Sequence, residues 1–144
     1  MSKLNVVLPI VLLAVVVLAG CRGTVPIENV KNASYGTPSY TVTAPLTLDE
    51  YEQAIIRAGS KRNWVFERVG PGHLVGTNVV RGKHTAIVDV IFNAETFSIT
   101  YKDSNNLKYD AATQEIHPNY NSWVDLLKGD IQTELQTTDP ANFD

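Results

Sequence analysis

Between Trp64 and Lys102 four runs of strand-forming residues follow one another, joined by links too short to hold a helix. The runs are Trp64 to Val69, His73 to Arg81, His84 to Phe92 and Thr96 to Lys102, and the links are Gly70-Pro71-Gly72, a tight Gly82-Lys83 turn and Asn93-Ala94-Glu95. Parallel neighbours need a crossover of about a dozen residues, so links this brief dictate an antiparallel meander. In the third run Ala86, Val88, Val90 and Phe92 alternate with Thr85 and Asp89, and in the fourth Phe97, Ile99 and Tyr101 alternate with Ser98, Thr100 and Lys102. Successive side chains of a strand point to opposite faces, so one face of this sheet is expected to be buried and the other wet.

Helical periods flank the meander. Thr47-Leu48-Asp49-Glu50 reads as a capping box, with Leu46 and Tyr51 placed as a hydrophobic staple. Leu48, Tyr51, Ala54, Ile55 and Ala58 then recur at helical spacing, acids fill the first turn, Arg57, Lys61 and Arg62 come near the end, and Gly59 reads as the stop. After His117-Pro118, the residues Tyr120, Trp123, Val124, Leu127, Ile131 and Leu135 form a second apolar stripe, interrupted by Gly129. The expected domain, residues 47–136, is therefore α+β and two-layered: helix, four-stranded antiparallel meander, helix, with both helices on one face of the sheet. Residues 137–144 read as a polar C-terminal tail.

Ahead of the domain, residues 21–46 are rich in Thr, Ser, Asn, Pro and Gly without a sustained period and read as a flexible tether. A coil of that length spans roughly 25–30 Å. Within it only Ser39-Tyr40-Thr41-Val42-Thr43 has a strand-like composition that could add to a sheet edge. Further upstream, Lys3 precedes an apolar stretch from Val6 to Leu18, and small residues lead into the chain's single cysteine, Cys21. The run is shorter than the ~20 apolar residues a bilayer core requires, and it carries Pro9. A basic start, a short greasy core and small residues before the cut are the regions of an export signal.

The segment Leu18-Ala19-Gly20-Cys21 resembles the lipobox of prokaryotic membrane lipoproteins. That resemblance implies a signal peptide over residues 1–20, a diacylglyceryl group on the Cys21 sulfur and a further acyl chain, such as palmitate, on its amino group. Two or more chains anchor a protein stably, at ~0.8 kcal/mol per buried methylene. The sorting pattern of enteric lipoproteins, in which an aspartate after the cysteine favours the inner membrane, implies for Arg22 the outer membrane, facing the periplasm. With Cys21 acylated, no thiol remains for a disulfide, and packing alone must hold the domain. Loss of Lys3 leaves eleven Lys and Arg against fifteen Asp and Glu, a balance that argues against nucleic acid as a partner.

Few side chains carry recognisable chemistry. His73, His84 and His117 lack metal-ligand spacing and a thiol companion, so no metal and no cofactor are expected. Ser104 follows Asp103 in a turn-like run without nucleophile-elbow glycines. Gly70-Pro71-Gly72 lacks the Lys-Ser pair of a phosphate loop and reads as a turn. More informative is the polar cluster between Tyr101 and Trp123, whose two segments should meet at one end of the sheet. There Asp103, Asn106, His117, Asn119 and Asn121, with nearby tyrosines and Trp123, are the candidate ligand-binding residues, a set suited to sugar or peptide. If helix capping claims Asn119 and Asn121, that surface shrinks. Charge is uneven as well: Arg57, Lys61, Arg62, Arg68, Arg81 and Lys83 meet the single acid Glu67, whereas eight acids from Asp103 onward meet Lys108 and Lys128.

The pattern from Phe97-Ser98-Ile99-Thr100-Tyr101-Lys102-Asp103-Ser104 through Asn106-Leu107-Lys108-Tyr109 and Ile116-His117 to Asn119-Tyr120-Asn121-Ser122-Trp123 resembles a group of small uncharacterised Gram-negative lipoproteins. The resemblance implies fold and location and brings no activity. Together these readings lead to a non-enzymatic binding or interaction module, held to the membrane by its lipid anchor, whose partner is a periplasmic protein or an envelope glycan. The alternative is a small hydrolase or ligand-processing enzyme using His117 with Asp103 or Ser104.

Overall fold

A computed structural model describes residues 23–139. The signal segment, Cys21, Arg22 and the end of the tail lie outside the described residues. The chain forms β1 (Val25–Pro26), β2 (Val30–Ser34), α1 (Leu48–Ser60), β3 (Trp64–Gly70), β4 (His73–Val80), β5 (His84–Phe92), β6 (Thr96–Asn105), β7 (Glu115–Ile116) and α2 (Asn119–Thr137). It is an α+β protein with a five-stranded antiparallel sheet in the order β2-β6-β5-β4-β3 and a two-stranded sheet of β1 with β7. Among the described residues no helix is long and apolar enough to cross a membrane.

The meander follows its links. Val80 pairs with His84, so the turn holds Arg81, Gly82 and Lys83, and the second strand ends one residue earlier than its composition indicates. Arg81 and Gly82 adopt φ of 54° and 63°, the left-handed pair that matches the twist of a hairpin. The fifth strand is the main departure. Val30–Ser34, read as tether, joins the free edge of β6, with Val30 opposite Ile99 and Ala33 opposite Phe97. Ser39 to Thr43, the run with strand-like composition, forms no strand. It is held instead across the end of α2, where the Ser39 amide and hydroxyl donate to the Gln136 carbonyl at 2.7 Å and Tyr40 donates to the Leu135 carbonyl at 3.3 Å.

α1 begins as its sequence dictates. Thr47 and Glu50 form the reciprocal capping box, the Glu50 amide donating to the Thr47 hydroxyl at 3.3 Å. Its end differs from the sequence expectation. Gly59 stays inside the helix, the cap is Lys61 in a right-handed conformation, and the chain turns at Asn63 with φ 63°. The reason for a glycine at 59 is proximity: a Cβ there would stand 2.3 Å from the Phe66 ring.

Leu74 of β4, Ala86, Val88, Val90 and Phe92 of β5, and Phe97 and Ile99 of β6 bury into one cluster with Trp64, with Ala54, Ile55 and Ala58 of α1, and with Tyr120, Val124, Leu127, Ile131 and Leu135 of α2. α1 packs on β3, α2 packs along β2, and the helices pack on each other. The opposite face of the sheet faces solvent, as the alternation predicts, although Val65, Val69, Val79 and Ile91 stand exposed on it. Gly129 meets nothing within 4 Å of an added Cβ. Alanine there is expected to raise unfolding free energy by about 1 kcal/mol, the propensity difference alone, read from urea denaturation.

Candidate functional site

The polar residues singled out from sequence are mostly committed to the fold. A register shift places Ile87 opposite Asp103 and Val88 opposite Tyr101, leaving Lys102 as the extra residue of a bulge in β6. After the bulge, Ser104 lies opposite the buried Ala86, and its hydroxyl shares a 2.9 Å hydrogen bond with the Tyr101 hydroxyl. The Asp103 carboxylate accepts from the adjacent Ser104 amide at 2.7 Å. Neither residue hydrogen-bonds His117. The Asn121 side chain accepts from the Glu28 amide at 3.1 Å and donates to the Pro26 carbonyl at 2.9 Å, fastening the N-terminal segment to α2. Asn106, at φ 57°, donates from its side chain to the Lys83 carbonyl at 3.3 Å.

Capping of α2 also differs from expectation. Neither Asn119 nor Asn121 caps it; the His117 Nδ1 accepts from the Asn119 amide at 3.2 Å. That bond fixes the tautomer. A backbone amide only donates, so Nδ1 carries the lone pair and the proton of a neutral His117 sits on Nε2. His84 is the mirror case. Its Nδ1 faces the Asn106 carbonyl at 2.8 Å, which only accepts, so the lone pair of a neutral His84 is on Nε2. Both rings line a small cleft of about 70 Å³ with Leu107, Asn119 and Trp123. A metal-bound imidazole donates from its second nitrogen, so His117 is set against coordination through Nε2. His73 is elsewhere, 2.7 Å from Asp89 on the exposed face of the sheet. Among the described residues no three His, Cys, Asp or Glu side chains gather as metal ligands.

Trp123 also walls a second, larger cleft of about 380 Å³, which sequence reasoning did not find. This cleft lies between the end of α1 (Lys61, Arg62), the start of β3 (Asn63, Trp64), the end of β4 with its turn (Asn78 to Arg81) and α2 (Trp123, Leu126). Three properties set it apart. First, Asn78 is 5 % exposed, yet its carboxamide makes no hydrogen bond among the described residues. The amide is not sealed from solvent, so its unused donors and acceptor open onto the cleft. Second, the Trp64 indole N–H is buried and unpartnered beside it, with Trp64 directly opposite Asn78 in the ladder. Third, the cations differ in commitment. Lys61 pairs with Glu134 and Arg62 with Asp130, both on α2, whereas Arg81 has no ion pair among the described residues.

The sequence did hold a signal for this cleft. Leu74, Gly76 and Asn78 occupy the inward positions of β4, so Asn78 is a polar residue where the alternation calls for an apolar one. Arg81 belongs to the basic stretch and Trp123 to the polar cluster, and the fold brings them to one cavity. No family model, curated protein or solved structure matches the chain.

Proposed function

We propose that this chain is a lipid-anchored, periplasm-facing envelope lipoprotein whose folded domain is a non-enzymatic binding module. The observation that carries the binding role is the Trp123 cleft, where a nearly buried carboxamide lacks a partner beside two tryptophans and an uncommitted arginine. Open volume, apolar walls and a few unsatisfied polar groups are the general composition of a small-ligand site. The placement rests on the Leu18-Ala19-Gly20-Cys21 pattern and on Arg22 after it.

Anchoring at Cys21 has a geometric consequence in this fold. Thr24 bonds the Glu115 carboxylate at 2.9 Å, and Val25 is already paired with Ile116. Three peptide units between Cys21 and Thr24 reach at most about 11 Å. The 25–30 Å leash expected for a free coil is thus replaced by a short one, and the β1–β7 end of the domain is held close to the lipid headgroups.

The test is made in Gram-negative cells. Wild-type chain is expected to incorporate labelled palmitate and to fractionate with the outer membrane, and Cys21→Ser to lose both. After crosslinking, wild type but not Trp123→Ala is expected to retain an envelope component. A Cys21→Ser protein that remains in the outer membrane fraction would refute the anchor, and identical captures from wild type and Trp123→Ala would refute the cleft as the binding surface.

A further inference from the structure

We propose that the Trp123 cleft binds a saccharide unit bearing one anionic group, a carboxylate or a phosphate ester. This rests on the binding-module reading above and names its ligand class. Charge sets the first requirement. Of the three cations that line the cleft, Lys61 and Arg62 are engaged by Glu134 and Asp130, which leaves the Arg81 guanidinium as the group with unused charge. A guanidinium presents a planar fork of donors that matches carboxylate or phosphate oxygens. One uncommitted cation suits one anionic group, and the overall acidic balance of the chain, −3 at neutral pH, disfavours a polyanion.

The remaining lining sets the second requirement. The Asn78 carboxamide offers two donors and an acceptor with no partner among the described residues. Such an amide complements vicinal hydroxyl groups, which also donate and accept. Trp123 supplies an apolar face, as the C–H face of a sugar ring requires, Leu126 extends that wall, and the buried Trp64 closes it from beneath. An apolar ligand would leave Asn78 unsatisfied, and a simple inorganic anion would leave the Trp123 face bare. Beyond Trp123, the adjoining cleft offers His84 Nε2 as an acceptor and His117 Nε2 as a donor, a pair that again matches a hydroxyl group. The main cavity, about 380 Å³, falls within the range of small-ligand sites, roughly 300–1,000 Å³.

Both tryptophans of the chain line this cavity, so intrinsic fluorescence reports on it directly. Full-length protein in detergent is titrated with glucuronate, glucose 6-phosphate and glucose. A saturable change is expected with at least one of the two anionic sugars, at least tenfold tighter than with glucose, and the better of the two identifies the anionic group. Arg81→Asn, which keeps a residue tolerant of positive φ in the turn, is expected to reduce the anionic sugar to the affinity of glucose. Asn78→Leu is expected to abolish binding of all three while its melting temperature stays close to that of wild type, since the position faces inward from β4 and an apolar side chain fits there. Equal affinity for glucose and both acids, no saturable response to either acid, or unchanged binding by Asn78→Leu would each overturn the ligand class. If crosslinked envelopes still give a capture that depends on Trp123 when neither acid binds, the ligand class alone fails; if that capture is also absent, the binding reading fails with it.

Discussion

Alanine in place of Gly59 is expected to destabilise the fold by about 2 kcal/mol, against the gain that helix propensity assigns to the same change. Gly59 lies within α1, and an added Cβ would sit 2.3 Å from Cε2 and 2.7 Å from Cζ of Phe66, with the Trp64 Cβ at 3.1 Å. The ring cannot retreat toward β4. A Cβ on Gly76 would be 2.8 Å from Phe66 Cε1, so the ring is slotted between a helix backbone and a strand backbone that both lack side chains. Overpacking of this kind costs typically about 1–3 kcal/mol, and a contact so far inside van der Waals distance belongs at the upper end. The propensity gain of about 1 kcal/mol offsets only part of it. Urea denaturation of Gly59→Ala checks the sign. In a Phe66→Ala background the obstruction is gone, and the same substitution is expected to become neutral or stabilising. A Gly59→Ala protein more stable than wild type would show that α1 is free to slide from the sheet, contrary to the close approach described here.

This glycine illustrates which parts of the fold were legible in sequence. α1 was readable because its cap, period and charge order agree locally, and the four central strands because short links and alternation leave one topology. Gly59 looked like a helix stop because its partner, the Phe66 ring, is a tertiary neighbour with no local signature. β2 was missed for a related reason. It offers Val30 and Ala33 to the core, with Asn32 at φ 47° between them, so no alternation survives. Whether such a segment pairs is decided by the edge that β6 leaves open rather than by its own composition. At the candidate site, the cluster from Tyr101 to Trp123 is polar and aromatic by composition, but the roles of its members depend on what faces them. The bulge at Lys102 turns Ser104 toward Tyr101, and Pro26 with Glu28 claims Asn121. Asn78, by contrast, stood out against its own strand pattern and was discoverable from sequence.

Removing the carboxylate of Glu134 is expected to cost more than any other substitution argued here, about 3 kcal/mol near neutral pH. Glu134 is 4 % exposed on α2 and joins the helices by accepting from Arg57 Nε at 3.1 Å and from the Lys61 ammonium. Breaking a fully buried pair costs about 3–5 kcal/mol. The lower figure applies because the Arg57 and Lys61 side chains are 37 % and 57 % exposed, so water screens part of the interaction and rehydrates the cations once Glu134→Ala has lost its acid. The same contacts make the loss depend on pH. Burial pushes the Glu134 carboxyl upward, but hydrogen bonds from Lys61 and Arg57 and their charges outweigh it and hold the group below its ordinary value of 4.5. A carboxyl with a lowered value in the folded state contributes stability that is complete above the unfolded value and disappears as pH falls through the folded one. Wild type and Glu134→Ala are therefore expected to differ fully in urea midpoint at pH 7, and to converge as the pH is taken well below 4.5. A gap that stayed constant down to strong acid would mean that the variant suffers from a cavity rather than from the missing charge, and the ion pair between α1 and α2 would then contribute little to holding the helices together.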